Sequence, residues 1–173
     1  MLKALFGFGG AKQLAPNLCE SLGLRAREPV FFAALGVPDT IDGRFDMVVL
    51  HAWLVLERLR VLQMKDVSQA LVDTLFTSFD ESLRELGVGD IGIGHRVKKM
   101  ADAFYGRLSA YGSAMEHGDL GGAILRNIYR GESGHAEAAA ALAHYIRSAS
   151  AHLAKCDLAN DAPDFGPLPV AAR

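Results

Sequence analysis

From Phe45 to Leu56 the chain reads as almost continuous hydrocarbon, broken only by Asp46 and His51. The segment shows no period-two alternation, so it reads as a helix that is apolar nearly all the way round. Such a helix either lies at the centre of a protein or keeps one face for another hydrophobic molecule. It would span roughly 18 Å, well short of a bilayer core of about 30 Å. The chain must therefore build a helical core around this segment.

The flanking segments agree. Asp42 is placed to cap this helix, expected from about Gly43 to Leu62. Downstream, Val67, Ala70, Leu71, Thr74, Leu75, Ser78, Phe79, Ser82, Leu83 and Leu86 step by three and four along one face, and Gly87 supplies a stop. A second stripe, Val97, Met100, Ala101, Phe104, Leu108, Tyr111 and Met115, marks a helix from about Gly92 to Glu116. A shorter helix capped by Asp119 follows. An alanine-rich helix after Gly134 carries Leu142, Tyr145, Ile146, Ala149 and Leu153. Short helices are expected near Pro16–Leu24 and Pro29–Leu35. The expectation is an all-α, single-domain bundle of about six or seven helices. It comprises a flexible segment over 1–10, the helical domain over 11–155, and a Pro-containing surface tail over 156–173.

Composition narrows the function. The chain has 173 residues, is 50% hydrophobic and carries a formal charge of −2, which suits one domain with a real core. That balance lacks the basic field needed to grip a nucleic acid backbone, so no DNA partner is expected. Cys19 and Cys156 make no disulfide framework and point weakly to a reducing compartment. The N-terminal stretch has no long apolar run with a cleavage site, so the chain reads as cytoplasmic. Leu2, Leu5, Phe6 and Phe8 could touch a membrane surface, although packing onto the core is the plainer reading.

Motif by motif, catalysis finds little support. Gly87-Val-Gly-Asp-Ile-Gly92 matches a dinucleotide fingerprint in letters, but an amphipathic helix precedes it where a strand is needed, so it reads as an inter-helix turn. Glu132 and His135 have the Glu-x-x-His spacing of di-iron bundles, without a second pair. His144 and His152 read as solvated, and His51 as a core histidine with one hydrogen-bond partner. No nucleophilic triad is visible. No catalytic residue, metal ligand or cofactor is assigned. His95, Arg96, Lys98 and Lys99 form a basic helix face, most simply a solvated one, with contact to an acidic partner or RNA as the alternative.

The stretch Gly36-Val-Pro-Asp-Thr-Ile-Asp-Gly-Arg-Phe45 is more informative. Pro38 fixes its backbone, Asp39 and Thr40 can bond nearby amides, and Arg44 calls for a carboxylate partner because it sits at the positive end of a helix. The residues fit a structured connection and a partner-presenting loop about equally well.

These blocks resemble the ubiquinol–cytochrome c chaperone family, assembly factors of the cytochrome bc1 complex. The likeness is carried by Arg27–Phe32, Gly36–Phe45, Val49–Leu59, Asp90–Met100 and Ala103–Leu108, in the expected order, over about Leu14 to Ile128. The resemblance implies a non-enzymatic protein of the respiratory chain that binds newly made cytochrome b as its client. It also implies work near a membrane surface or ribosome, at the inner face of the cytoplasmic membrane, as a homodimer or with a small partner subunit. A suspected binding surface follows from it. Val37, Pro38, Asp39, Arg44, Phe45 and Trp53 would form one wall. Met100 and Tyr105, with Lys98, Lys99 and Arg107 as cations, would form the next. Two other readings compete: a helical di-metal carboxylate enzyme built on Glu132 and His135, and a homo-oligomeric scaffold whose apolar helix is sealed by its own copy.

Overall fold

A computed structural model describes residues 8–87 and 89–169. Leu2, Leu5 and Phe6, the Phe8 side chain, Val88 of the glycine motif and the last four residues of the tail lie outside the described residues. The described chain runs α1 (Phe8–Ala26), α2 (Pro29–Ala33), α3 (Ile41–Val61), α4 (Lys65–Glu85), α5 (Asp90–His117), α6 (Leu120–Asn127) and α7 (Ala136–Leu153). A single 3-10 turn, Ser133–His135, precedes α7, and no strand occurs among the described residues. The fold is all-α.

Helix α3 is the hub. It packs against α1, α4, α5 and α7, which explains why its sequence is apolar on every side. Every residue from Phe45 to Val55 is buried. The helix starts earlier than Asp42 would place it, because Thr40 is the N-cap and its hydroxyl accepts from the Gly43 amide at 3.1 Å. Gly43 is needed there, since an added Cβ would lie 1.9 Å from the Pro38 carbonyl oxygen.

Helix α1 exceeds the short helix expected near Pro16, which lies inside it. Proline removes one backbone donor, a cost of about 3 kcal/mol in a helix interior. The stripe Ala15, Leu18, Leu22 and Ala26, wholly buried against α3 and α4, offsets that loss. Glycines end α4 and α5 in the left-handed region, Gly87 at φ 77° and Gly118 at φ 83°. The glycine-rich run, expected to form an inter-helix turn, does so only in part: Gly87 and Gly89 lie between α4 and α5, whereas Gly92 and Gly94 fall inside the first turns of α5. Asp119 precedes α6 but makes no side-chain cap bond; its carboxylate meets Arg126 at 3.2 Å instead.

The chain after α7 crosses the surface, yet it is anchored inward by buried Leu158 and Phe165. Arg58 of α3 donates to the Cys156 carbonyl through Nε and Nη2 at 2.9 and 2.6 Å. Arg25 of α1 donates to the Gly166 carbonyl at 2.6 Å.

A buried polar relay joins three helices. His51 donates from Nδ1 to the Met47 carbonyl at 2.8 Å, because a carbonyl can only accept. Its Nε2 then accepts from the Tyr145 hydroxyl at 2.9 Å, and that oxygen accepts from Arg25 Nε at 2.9 Å. His51 thus has two partners rather than the single one expected. Burial pulls its pKa down to about 4, so it stays neutral. Phe31 of α2 and Phe165 of the tail pack their ring edges against it.

Tyr145→Phe keeps the ring but strips His51 Nε2 of its donor. The expected loss is about 1–3 kcal/mol in urea unfolding at pH 7. An unchanged midpoint would mean that the relay carries no net stability.

Candidate functional site

A groove of about 790 Å³ opens where the start of α3, the end of α4, α5 and the end of α6 converge. Its apolar lining is Ile41, Phe45, Leu83, Met100 and Ala103. Its charged lining is Arg96, Lys99, Arg107, Arg126 and Arg130 against Asp42 and Asp46, five cations to two carboxylates. The contribution of α5 follows from helical spacing. Positions 96, 99, 100, 103 and 107 fall on one stripe, while fully buried Phe104 and Tyr111 turn into the core.

Asp46 is wholly buried, an uncommon place for a carboxylate. Arg107 Nη2 lies 2.7 Å from one of its oxygens and Arg130 Nη2 lies 2.8 Å from the other. Three segments, α3, α5 and the chain after α6, are pinned at this one carboxylate. Both contacts are at ion-pair distance, and Arg130 adds a hydrogen bond that favours the charged form. Burial nevertheless dominates and pushes the Asp46 carboxyl up to about 6, against the downward pull of the two guanidiniums. Arg107 also lies over the Phe45 ring, 5.5 Å from its centroid.

Arg130 reaches Asp46 from a backbone at φ 55°, a left-handed conformation that costs a non-glycine residue about 1–2 kcal/mol. Gly131 follows at φ 81° and donates to the Leu125 carbonyl at 2.9 Å, so the chain turns sharply after α6. Arg130 Nη1 also donates to the Asn127 carbonyl.

The matched family model is the ubiquinol–cytochrome C chaperone, over residues 33–160. The chain belongs to this family. The groove lining lies wholly inside the matched span. The chain is 34% identical to the Cbp3 homolog from Brucella abortus, a crystal structure, with a TM-score of 0.75 and 88% and 89% of the two chains covered. It is 30% identical to the mitochondrial protein CBP3 of Saccharomyces cerevisiae, over 66% of this chain and 38% of that one. Its identity to ubiquinol-cytochrome-c reductase complex assembly factor 1 of Xenopus laevis is 22%, over 68% of this chain and 60% of that one. The chain thus spans less than two thirds of the length of the yeast and frog relatives.

The residues named from sequence are divided by the fold. Phe45, Lys99, Met100 and Arg107 meet in the groove. Lys98, one residue away, points off it and is exposed. Val37 is buried, whereas Pro38, Asp39 and Arg44 are exposed in the loop before α3. Arg44 has the carboxylate its position required, Asp39 at 2.6 Å. Trp53 is sealed at 4% exposure against Tyr111, beside a separate hollow of about 210 Å³. Tyr105 is 56% exposed and outside the groove, although its ring packs edge-on against Phe104. Asp46, Arg126, Arg130, Ile41 and Leu83 were missed. Only Asp46 carried a signal, as a charge inside an otherwise apolar helix, which has to find a partner.

The Glu132–His135 pair sits on the exposed 3-10 turn with 3.6 Å between its nearest atoms. His135 stacks on Tyr129, and no group of three or more metal-ligating side chains occurs among the described residues.

Because the folded chain holds the Asp46 proton more tightly than an unfolded chain does, this group's contribution to stability falls as pH rises from the usual 3.8 through about 6. His51 acts oppositely in the same window, but it is common to parent and variant. Asp46→Asn should therefore gain stability relative to the parent between pH 4 and pH 7 in urea titrations; a constant gap would contradict the raised value. Arg107→Met leaves the carboxylate half compensated and should cost about 3–5 kcal/mol at pH 7.

Proposed function

We propose that this chain is a non-catalytic assembly chaperone of the cytochrome bc1 complex, which holds newly made cytochrome b through the groove between α3, α4, α5 and α6. The observation that carries the reading is the groove itself, where hydrocarbon and unneutralised cations lie side by side inside the family-matched span. Membrane-protein segments awaiting insertion or cofactors expose apolar side chains beside polar loops, and a mixed surface suits them. The Xenopus laevis relative, named as a reductase complex assembly factor, supports the same role.

Holding a client needs shape and reversible contact rather than a nucleophile. The site offers a buried carboxylate already engaged by two arginines and a flexible thioether at Met100, which adapts to irregular apolar partners. No described helix is long and apolar enough to cross a membrane. We place the chain in the cytoplasm, at the inner face of the membrane that receives cytochrome b. A small partner subunit and a position near the ribosome rest on the family resemblance alone.

Deleting the gene should deplete assembled cytochrome bc1 and haem-loaded cytochrome b in difference spectra, with other respiratory complexes near normal. Normal haem-loaded cytochrome b would end the proposal. Within the site, Lys99→Glu should weaken co-purification of cytochrome b by about tenfold, while Lys98→Glu changes it little. Equal effects would move the binding surface off the groove.

A further inference from the structure

The groove concentrates positive charge on a protein that is net negative. Its lining carries five cations against two carboxylates, while the whole chain stands at −2. Internal pairing absorbs only part of that excess. Asp46 is shared by Arg107 and Arg130, and Arg126 meets Asp119 at 3.2 Å. Arg96 and Lys99 have no ion pair among the described residues, and both are exposed. Arg130 keeps 48% of its side chain in solvent while its other side rests on Asp46.

The arginines are also held in place before any partner arrives. Arg107 is fixed between Asp46 and the Phe45 ring, and Arg130 between Asp46 and the Asn127 carbonyl. Guanidiniums ordered in this way lose little freedom when they take a further carboxylate, and their fork geometry favours that acceptor. Exposed Ile41, at 53%, with Leu83 and Met100 supplies hydrocarbon in the same groove.

We propose that the groove reads carboxylates: it takes a polypeptide segment in which an Asp or Glu lies close to a bulky apolar side chain. The carboxylate meets Arg130, Arg96 and Lys99, and the apolar neighbour packs on Ile41, Leu83 and Met100. Asp46 is the internal counter-ion that positions the receptor without saturating it. This rests on the reading of the groove as the client-holding surface and adds which chemical feature of the client is held. A polypeptide fits better than an anionic lipid surface, because the arginines beneath the cations are engaged at depth with Asp46 rather than splayed on a flat face.

The test uses the full chain, labelled, on two arrays of 15-residue peptides. One tiles the cytochrome b of the same organism. The other holds unrelated peptides pairing Glu with Leu or Phe. Every acidic peptide has an amide copy with Asn or Gln. Captured peptides should be acidic, and their amide copies should bind about tenfold more weakly by fluorescence polarisation. Arg96→Gln and Lys99→Gln, both at exposed helical positions away from Asp46, should each remove most of that preference while circular dichroism stays unchanged. Capture that ignores the carboxylate overturns the inference yet leaves the cytochrome b reading intact. Capture of the unrelated acidic peptides without any cytochrome b peptide supports the inference and sinks that reading. No capture on either array overturns the inference. So does Arg96-dependent sedimentation with phosphatidylglycerol vesicles in the absence of peptide capture.

Discussion

A carboxylate placed in the second turn of a helix that is otherwise enclosed by hydrocarbon has to find opposite charge inside the protein, and Asp46 finds two guanidiniums. Arg107 comes from α5 and Arg130 from the turn after α6. The pairing therefore sets the position of both segments against α3. It also decides where the interior gives way to a cationic groove. Removal of either arginine would leave a half-compensated buried charge, whereas apolar replacement of all three groups need not destabilise the fold. The cluster is better understood as specifying an arrangement than as adding strength.

The apolar character of α3 has a different outcome from the one a chaperone role invites. Trp53, Leu54 and Val55 are covered by α5, α7 and their neighbours, so the middle of this helix offers no open wall to a client, and only its start, from Ile41 to Asp46, reaches the groove. The competing scaffold reading loses its motive for the same reason, since a second copy is not needed to seal α3. An aromatic chain instead links the interior to the groove. Phe45 packs edge-on with Phe79, Phe79 with Phe76, and Phe76 with Phe104. The floor of the groove is thereby backed by rigid, well-packed rings, and its accessible hydrocarbon is confined to a few side chains at the rim.

Much of the fold was legible because helical periodicity reports burial directly. Leu71, Leu75, Phe79 and Leu83 lie inward as their spacing requires, and Gly87 and Gly118 end helices in the conformation that favours glycine. Local signals failed where tertiary packing outweighed them. Pro16 argued for a short helix, but its neighbours bury a stripe that carries α1 through it. Asp42 and Asp119 looked like caps. Thr40 caps α3, and Asp119 turns to Arg126. The candidate site was half visible. Lys99, Met100 and Arg107 share a stripe on one helix, which spacing can reveal. Arg130 approaches from a left-handed turn more than eighty positions after Asp46, and no local pattern marks that approach.

A protein that holds a client, as proposed for this groove, must also let go, and the composition of the groove bears on that requirement. A purely apolar cleft of this size would hold a hydrophobic segment by area alone and release it slowly, since differences in affinity are expressed mostly in dissociation. Here a large share of the lining is cationic and hydrated, so part of any contact energy is spent on desolvating Arg96, Lys99 and Arg130. Charge contributes more to the rate and selectivity of encounter than to final tightness, and salt screens it over about 8–10 Å. The sealed α3 supplies stability to the fold, and the mixed rim supplies discrimination. Separating those two tasks would let the same bundle stay folded while its proposed grip on a client stays weak enough to be replaced by the client's own assembly contacts.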